Sequence, residues 1–215
     1  SDENGLFIFG SEHKCILEHS SVKAAVGPEG LAEIFIMGPA RTPGHGVYKG
    51  IRELRPGQCM SVSRDGVRLT TYWALESKPH EEDAEQTAER VRELLKDIVE
   101  RQLVSDVPVC TLLSGGLDSS ALTTLAVRYY ESTGQGRVST FSVDYVDNDK
   151  HFRAHDFQPN ADAPWIDRMA RHLNTDHHAV RFDTPELVDA LETAVLAKDL
   201  PGMADIDASL YLFCR

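Results

Sequence analysis

The sequence predicts an α/β fold, namely a parallel sheet with helices on both faces, preceded by a mostly β region. Two observations predict this fold class. From residue 107 onward, short apolar runs alternate with amphipathic segments, which is typical of parallel strands joined by crossover helices. Before residue 76, short apolar runs are separated by turns rich in Gly and Pro, which favours strands and loops.

The N-terminal region is predicted to contain short strands, one short helix and a hairpin. The apolar run 5–10 lies between glycines and indicates a strand, and residues 31–37 suit a short helix. Strands at 58–63 and 67–73 form the hairpin, because Asp65-Gly66 between two alternating runs is typical of a tight turn.

A change in composition at Ser77 marks the predicted boundary between the two regions. Residues 81–106 are predicted to form one long helix, because apolar residues recur there at helical spacing with Glu and Arg between them. We therefore divide the chain into an N-terminal region, 1–76, a connecting amphipathic helix within 77–106, and a C-terminal region, 107–215.

The C-terminal region is predicted to contain three strands and three helices. The strands are 107–113, 138–143 and 179–182, and the helices are 117–130, 163–173 and 185–197. Cys110 lies within the first strand and is expected to be a buried, reduced thiol. The polar stretch 148–164 is expected to be a mobile loop.

Charge, hydropathy and cysteine spacing exclude several classes of protein. The chain carries 22 basic and 34 acidic residues, and its net charge of −12 argues against a nucleic-acid partner. No apolar run has the length of a membrane span and no secretory signal is evident, so a membrane is not expected as a partner. The four cysteines form no C-x-x-C motif, and we expect a reducing, cytoplasmic setting.

One segment, Leu112 to Ser120, carries recognisable chemistry between a predicted strand and a predicted helix. Its two glycines let the backbone turn tightly near a ligand, and the following helix directs its first N–H groups at an anion. Asp118 would repel a phosphate directly, but it can bind Mg²⁺ that also binds phosphate oxygens. The segment predicts a phosphate site; the alternative is a simple capped helix start.

The segment matches neither the Walker A spacing nor G-x-G-x-x-G. It resembles the Ser-Gly-Gly-x-Asp-Ser loop of the PP-loop ATP pyrophosphatases. Ser105–Pro108 before it and Thr140–Val143 after it resemble the glutamine-dependent asparagine synthetases. Ser11-Glu12-x-Lys14, Gly50–Gly57 and Tyr72-Trp73 resemble the C-terminal half of that family's glutaminase domain. The resemblance therefore covers nearly the whole chain in the order of the family.

The resemblance implies that ATP and Mg²⁺ are cofactors and that aspartate is adenylated, with release of pyrophosphate, and then amidated by ammonia from glutamine. It implies that residues 1–76 belong to the glutaminase domain and residues 107–215 to the ATP-binding synthetase domain, and it is compatible with a homodimer. It places the metal on Asp118 and the adenine near Val143. The implied ATP-binding residues are Leu112, Ser114, Gly115, Gly116, Asp118, Ser119 and Val143.

The chain also departs from the family pattern. The nucleophilic cysteine is expected upstream of Ser1, which we interpret as a truncation point, and the catalytic Glu and Lys are expected downstream of Arg215. No catalytic residue is therefore expected in this chain, which alone should be inactive. Asp205 and Asp207 lie near the aspartate site of the family, and an arginine is expected close to the position of Asp207. This departure leaves open a β-lactam synthetase or a lasso-peptide cyclase. The missing catalytic segments leave open a non-catalytic nucleotide-binding fragment.

Two histidine pairs are candidate metal ligands. His177 and His178 are interpreted as solvated or hydrogen-bonded side chains. His151 and His155 have the i, i+4 spacing of zinc ligands, but no carboxylate or cysteine completes a convincing set.

Overall fold

The computed structural model describes residues 5–156 and 159–215, except for the side chain of Asp205. Ser1 lies outside the described residues. The strands are β1 (Gln58–Ser63), β2 (Gly66–Thr71), β3 (Cys110–Leu112), β4 (Ser139–Tyr145) and β5 (Asp176–Phe182). The helices are α1 (His13–Leu17), α2 (Pro28–Ile36), α3 (Ala84–Gln102), α4 (Leu117–Thr133), α5 (Asn148–His151), α6 (Ala163–His172), α7 (Thr184–Lys198) and α8 (Ala204–Cys214).

The second half of the chain folds around a three-stranded parallel sheet in the order β3-β4-β5. Leu112 of β3 pairs with Phe141 of β4, and β4 pairs along its whole length with β5. Parallel neighbours require crossover connections, and α4 and α6 lie within the two crossovers. The predicted α/β fold class is confirmed as a parallel sheet flanked by helices together with a small antiparallel sheet.

Two apolar clusters hold these helices in place. Val99 of α3 packs with Ala126 and Val127 of α4 and with Val138 before β4. Leu113, directly after β3, packs with Ile166 and Ala170 of α6 and is only 1% exposed. The second cluster matters for the site because it anchors the residue that precedes the glycine-rich loop.

The long helix predicted over 81–106 is confirmed as α3, which has shorter ends. A capping box begins it: Gln86 N–H donates to Asp83 Oδ1 at 2.9 Å, and Asp83 N–H donates to Gln86 Oε1 at 3.2 Å. Val99 is the buried residue of this helix, whereas Val91 and Ile98 remain 48% and 44% exposed. The described residues therefore cover only a small part of its apolar stripe.

The N-terminal region contains one hairpin and two short helices. Strands β1 and β2 pair antiparallel with Ser63 opposite Gly66, which confirms the predicted turn. The predicted strand at 5–10 is wrong, because these residues form no ladder with any described segment and Phe9 is 80% exposed. Helix α2 confirms the predicted short helix and begins earlier, at Pro28, whose missing N–H is no loss in the first turn.

The first strand of the C-terminal region is much shorter than predicted. It spans three residues rather than 107–113, and Pro108 cannot donate a ladder hydrogen bond. The expectation that Cys110 is buried is wrong: its thiol is free and exposed. Helix α4 contacts the face of β3 that carries Thr111, whereas Cys110 and Leu112, on the opposite face, are exposed. Within the predicted loop at 148–164, residues 148–151 form α5.

The chain divides into two compact units. One comprises Ser1–Pro79 with Leu187–Arg215, and the other comprises His80–Glu186. The second unit contains the parallel sheet and the glycine-rich loop. In the first unit, Val47, Leu200 and Ala208 are buried. Among the described residues, no helix combines the length and the apolar character that crossing a bilayer would require.

Candidate functional site

The glycine-rich loop begins at the carboxyl edge of the parallel sheet. Leu113 N–H donates to Phe141 O at 2.8 Å, so hydrogen bonding to β4 continues one residue beyond the end of β3. Ser114 is therefore the first residue free of the sheet. The carboxyl edge of strands is where open α/β sheets bind their ligands.

Gly115 sets the path of the loop. Its φ of +77° lies in the left-handed region, where residues with a Cβ are strained. A Cβ at this position would also lie 3.0 Å from Asp162 O and 3.0 Å from Trp165 Cβ. The backbone of the loop thus lies directly against the start of α6, with no space for a side chain.

Two serine hydroxyls connect the loop to the first turn of α4. Ser119 Oγ accepts from Ser114 N–H at 3.2 Å, donates to Gly116 O at 3.2 Å and lies 3.0 Å from Ser114 Oγ. With the Ser119 proton directed at Gly116 O, the Ser114 hydroxyl is the donor between the two serines. Both hydroxyls therefore hold the loop in shape, and backbone N–H groups are left as the main donors for an anion.

The N-terminus of α4 is open to solvent. Its N-cap residue is Gly116, and no side chain caps the helix there. Leu117 is 88% exposed and Asp118 is exposed. The carboxylate of Asp118 is therefore accessible to a ligand from solvent. An uncapped helix start beside a tight glycine turn can bind phosphate through its N–H groups and dipole.

These residues fit a nucleotide phosphate with Mg²⁺. Mg²⁺ is usually bound by one or two carboxylates together with phosphate oxygens and waters rather than by a protein cage. Asp118 supplies one such carboxylate. The described part of the chain contains no cluster of three or more His, Cys, Asp or Glu side chains placed to hold a metal.

The two remaining predicted nucleotide contacts lie on neighbouring strands. Leu112, which is 56% exposed, ends β3. Val143 lies two residues beyond Phe141, the partner of Leu112, and is half-buried. The register thus places Val143 toward the same carboxyl edge as the loop.

Sequence reasoning missed a polar cluster between β4 and β5. His177 Nδ1 lies 2.9 Å from Thr140 Oγ1, and His177 Nε2 lies 3.1 Å from Ser142 Oγ. Thr140 Oγ1 also lies 3.0 Å from Thr175 Oγ1. Burial lowers the pKa of His177 below its usual value of 6.5, and the nearby His178 lowers it further. The interpretation of His177 as hydrogen-bonded is confirmed. The sequence signal for this cluster was the pair of hydroxyl residues Thr140 and Ser142, which lie two positions apart and therefore on the same face of β4.

The negative charge of Asp207, close to where the family resemblance leads us to expect an arginine, is paired with a cation. Lys198 Nζ donates to both carboxylate oxygens of Asp207, at 2.9 and 3.0 Å. Gly202 lies so close to this pair that a Cβ would collide with the Asp207 carboxylate. Asp207 therefore does not present an unpaired negative charge. The side chain of Asp205 lies outside the described residues.

Two family models match the chain. A family model described as asparagine synthase matches residues 90–215, and one described as glutamine amidotransferase domain matches residues 1–73. The chain is 53% identical to asparagine synthetase [glutamine-hydrolyzing] 3 of Bacillus subtilis (strain 168), over 99% of this chain and 35% of that protein.

Two further relatives match with lower identity. A putative asparagine synthetase [glutamine-hydrolyzing] 2 of Methanocaldococcus jannaschii is 30% identical over 85% of this chain and 34% of its own length. A Penicillium rubens protein named amidase chyE is 31% identical over 72% of this chain and 24% of its own length. The chain spans about a third of the length of the first two relatives, at 35% and 34%.

Proposed function

The chain belongs to the asparagine synthase family, and from this we propose that it is part of an enzyme that adenylates aspartate with ATP and amidates it with ammonia from glutamine. The glycine-rich loop at the carboxyl edge of the sheet is the observation that carries the proposal. Residues 1–73 match an amidotransferase domain, which supports glutamine as the source of the ammonia.

In this proposal, the loop binds the pyrophosphate portion of ATP. The N–H groups at the start of α4 donate to phosphate oxygens, and Ser114 and Ser119 hold those donors in place. Gly115 keeps the backbone free of side chains on the side packed against α6. Donors fixed before the reaction stabilise the charge that develops on a departing pyrophosphate without reorganising.

Asp118 would hold Mg²⁺ against the phosphates, and Leu112 and Val143 would line the nucleotide. Bound Mg²⁺ would neutralise negative charge on the transferring and leaving phosphate groups. The carboxylate of Asp118 then has a role that repulsion from phosphate would otherwise forbid.

Aspartate is favoured over a ring-closing substrate by the state of Asp207. The acid that argued against an aspartate carboxylate is paired with Lys198, so its repulsion is largely offset. The two asparagine synthetases to which this chain is similar also support aspartate as the substrate.

The test is aspartate-dependent exchange of labelled pyrophosphate into ATP in the full-length protein. We expect exchange that requires aspartate and Mg²⁺, and asparagine formation once ammonia is added. Exchange with aspartate absent, or with another acid in its place, would overturn the assignment of aspartate. A direct titration of the 215-residue chain with ATP and Mg²⁺ tests the loop independently of the chemistry.

A further inference from the structure

An ion pair joins helix α1 to the end of helix α7 within the first compact unit. Lys14 Nζ lies 3.1 Å from Asp199 Oδ1, and Lys14 N–H donates to Asp199 Oδ2 at 3.0 Å. The Asp199 side chain is only 8% exposed. Both carboxylate oxygens are thus satisfied by a single residue that lies 185 positions away in the sequence.

Further hydrogen bonds from the N-terminal region reach the same short segment. Lys14 Nζ donates to Ala197 O at 3.0 Å, and Tyr48 Oη donates to Asp199 O at 3.3 Å. The Tyr48 ring lies 5.5 Å from the ring of His13, which adjoins Lys14. Residues 197–199 are therefore held through side-chain and main-chain atoms by two separate parts of the N-terminal region.

The backbone at Asp199 has a strained conformation, which its contacts with Lys14 and Tyr48 hold in place. Its φ is +66°, in the left-handed region that non-glycine residues seldom occupy. Burial opposes ionisation, but the hydrogen bonds and charge of Lys14 lower the pKa of Asp199 overall. A buried carboxylate with a strained backbone contributes little to stability by itself, whereas it does fix one geometry.

The two sides of this contact belong to different functional regions. Lys14 and Tyr48 fall within the amidotransferase match, 1–73, whereas Ala197 and Asp199 fall within the asparagine synthase match, 90–215. Asp199 opens the turn that leads from α7 to α8. The contact therefore attaches the turn of one region to the other region at a defined point.

We propose that Lys14 and Asp199 are positioning residues that couple glutamine hydrolysis to amide formation, by holding the α7–α8 turn in register with the amidotransferase region. This inference rests on the proposed function. Ammonia released from glutamine must pass from one region to the other, so its use depends on their alignment. Ammonia supplied in solution has no such requirement, and this difference makes the coupling measurable.

The experiment compares Asp199→Asn, Lys14→Met and the double variant with the unmodified full-length protein. Three rates are measured for each: glutamine hydrolysis, asparagine formation from ammonia, and asparagine formation from glutamine. Lys78→Met is the matched control, because Lys78 forms an exposed ion pair with Glu76 at 2.9 Å. The midpoint temperature of thermal unfolding, measured for each variant, identifies any variant that has lost its fold.

We expect asparagine formed per glutamine hydrolysed to fall by about fivefold or more in each single variant, the lower end of typical coupling between sites. Ammonia-dependent synthesis should stay within about twofold of the unmodified rate, and the double variant should resemble the singles, since the two residues act through one contact. An unchanged ratio in folded Asp199→Asn and Lys14→Met proteins overturns the proposal. Absence of both activities in the unmodified protein overturns the proposed function instead.

Discussion

Gly115 and Asp162 lie so close that a Cβ on Gly115 would be 3.0 Å from the carbonyl oxygen of Asp162. This relationship joins the glycine-rich loop to the start of α6 and makes the position sterically restrictive. Gly115 also has a φ of +77°, at which a residue with a Cβ is strained. Glycine therefore suits this position for two reasons, the backbone angle and the lack of space.

We therefore expect Gly115→Ala to lower the free energy of unfolding by about 1–3 kcal/mol through backbone strain and the close contact. Chemical denaturation measures this difference, and ATP binding should weaken in parallel because the loop must move. Gly134→Ala is the control, because Gly134 has a similar φ of +70° but nothing within 4 Å of the added Cβ. Equal losses in the two variants would show that contact with α6 contributes nothing.

Asp118→Asn tests the proposed metal role. The change removes a charge from an exposed side chain at the start of α4, so the fold should be little affected. We expect ATP affinity in the presence of Mg²⁺ to fall about tenfold or more, with little change when Mg²⁺ is removed. Calorimetric titration under both conditions measures this, with Glu131→Gln at the far end of α4 as the control. Equal weakening with and without Mg²⁺ would contradict the assignment.

His177 predicts a loss of stability in mild acid. Its pKa is lowered, mainly by burial, although Asp167 opposes the shift; the unfolded chain therefore takes up a proton at higher pH than the folded chain. The stabilising contribution is fully present above the unfolded value of 6.5 and is lost as the pH falls through the folded-state pKa.

Denaturant unfolding at about pH 7.5 and about pH 5.5 measures this contribution. His177→Asn should be less stable at the higher pH, because it cannot reproduce both hydrogen bonds, and should show a smaller decrease on acidification. His19→Asn, which changes an exposed histidine, should retain the full decrease. An identical pH dependence in His177→Asn and the unmodified chain would rule out this residue as the source.

The Lys198–Asp207 pair predicts an effect on the acceptor substrate. Lys198→Met leaves the Asp207 carboxylate without its cation, and we expect the KM for aspartate to rise because like charges repel. Adding Asp207→Asn to this variant should restore the KM. Steady-state kinetics of the full-length protein with ammonia as nitrogen donor measure both. An unchanged KM for aspartate in Lys198→Met would show that the charge of Asp207 does not act on the acceptor site.

Sequence patterns were sufficient where the signal is local. The hairpin around Asp65-Gly66, the long helix α3 and the strand–loop–helix arrangement around Gly115 each depend on residues close together in the chain. The run 5–10 was misread because a strand depends on a partner, and an apolar run does not specify one. The predicted burial of Cys110 was wrong for a related reason, because an apolar strand does not specify which of its two faces a helix covers.

The sequence by itself determined the fold class and the position of the glycine-rich loop, because hydrophobic periodicity and turn residues are local properties of the chain. The family followed from the resemblance of its motifs to those of a known family. Only the tertiary structure decided that the start of α6 closes against Gly115, that His177 is held by Thr140 and Ser142, and that Lys14 binds Asp199. It also placed residues 187–215 with the first 79 residues in one compact unit. Such contacts depend on the distances between segments far apart in the chain, and no local pattern encodes those distances.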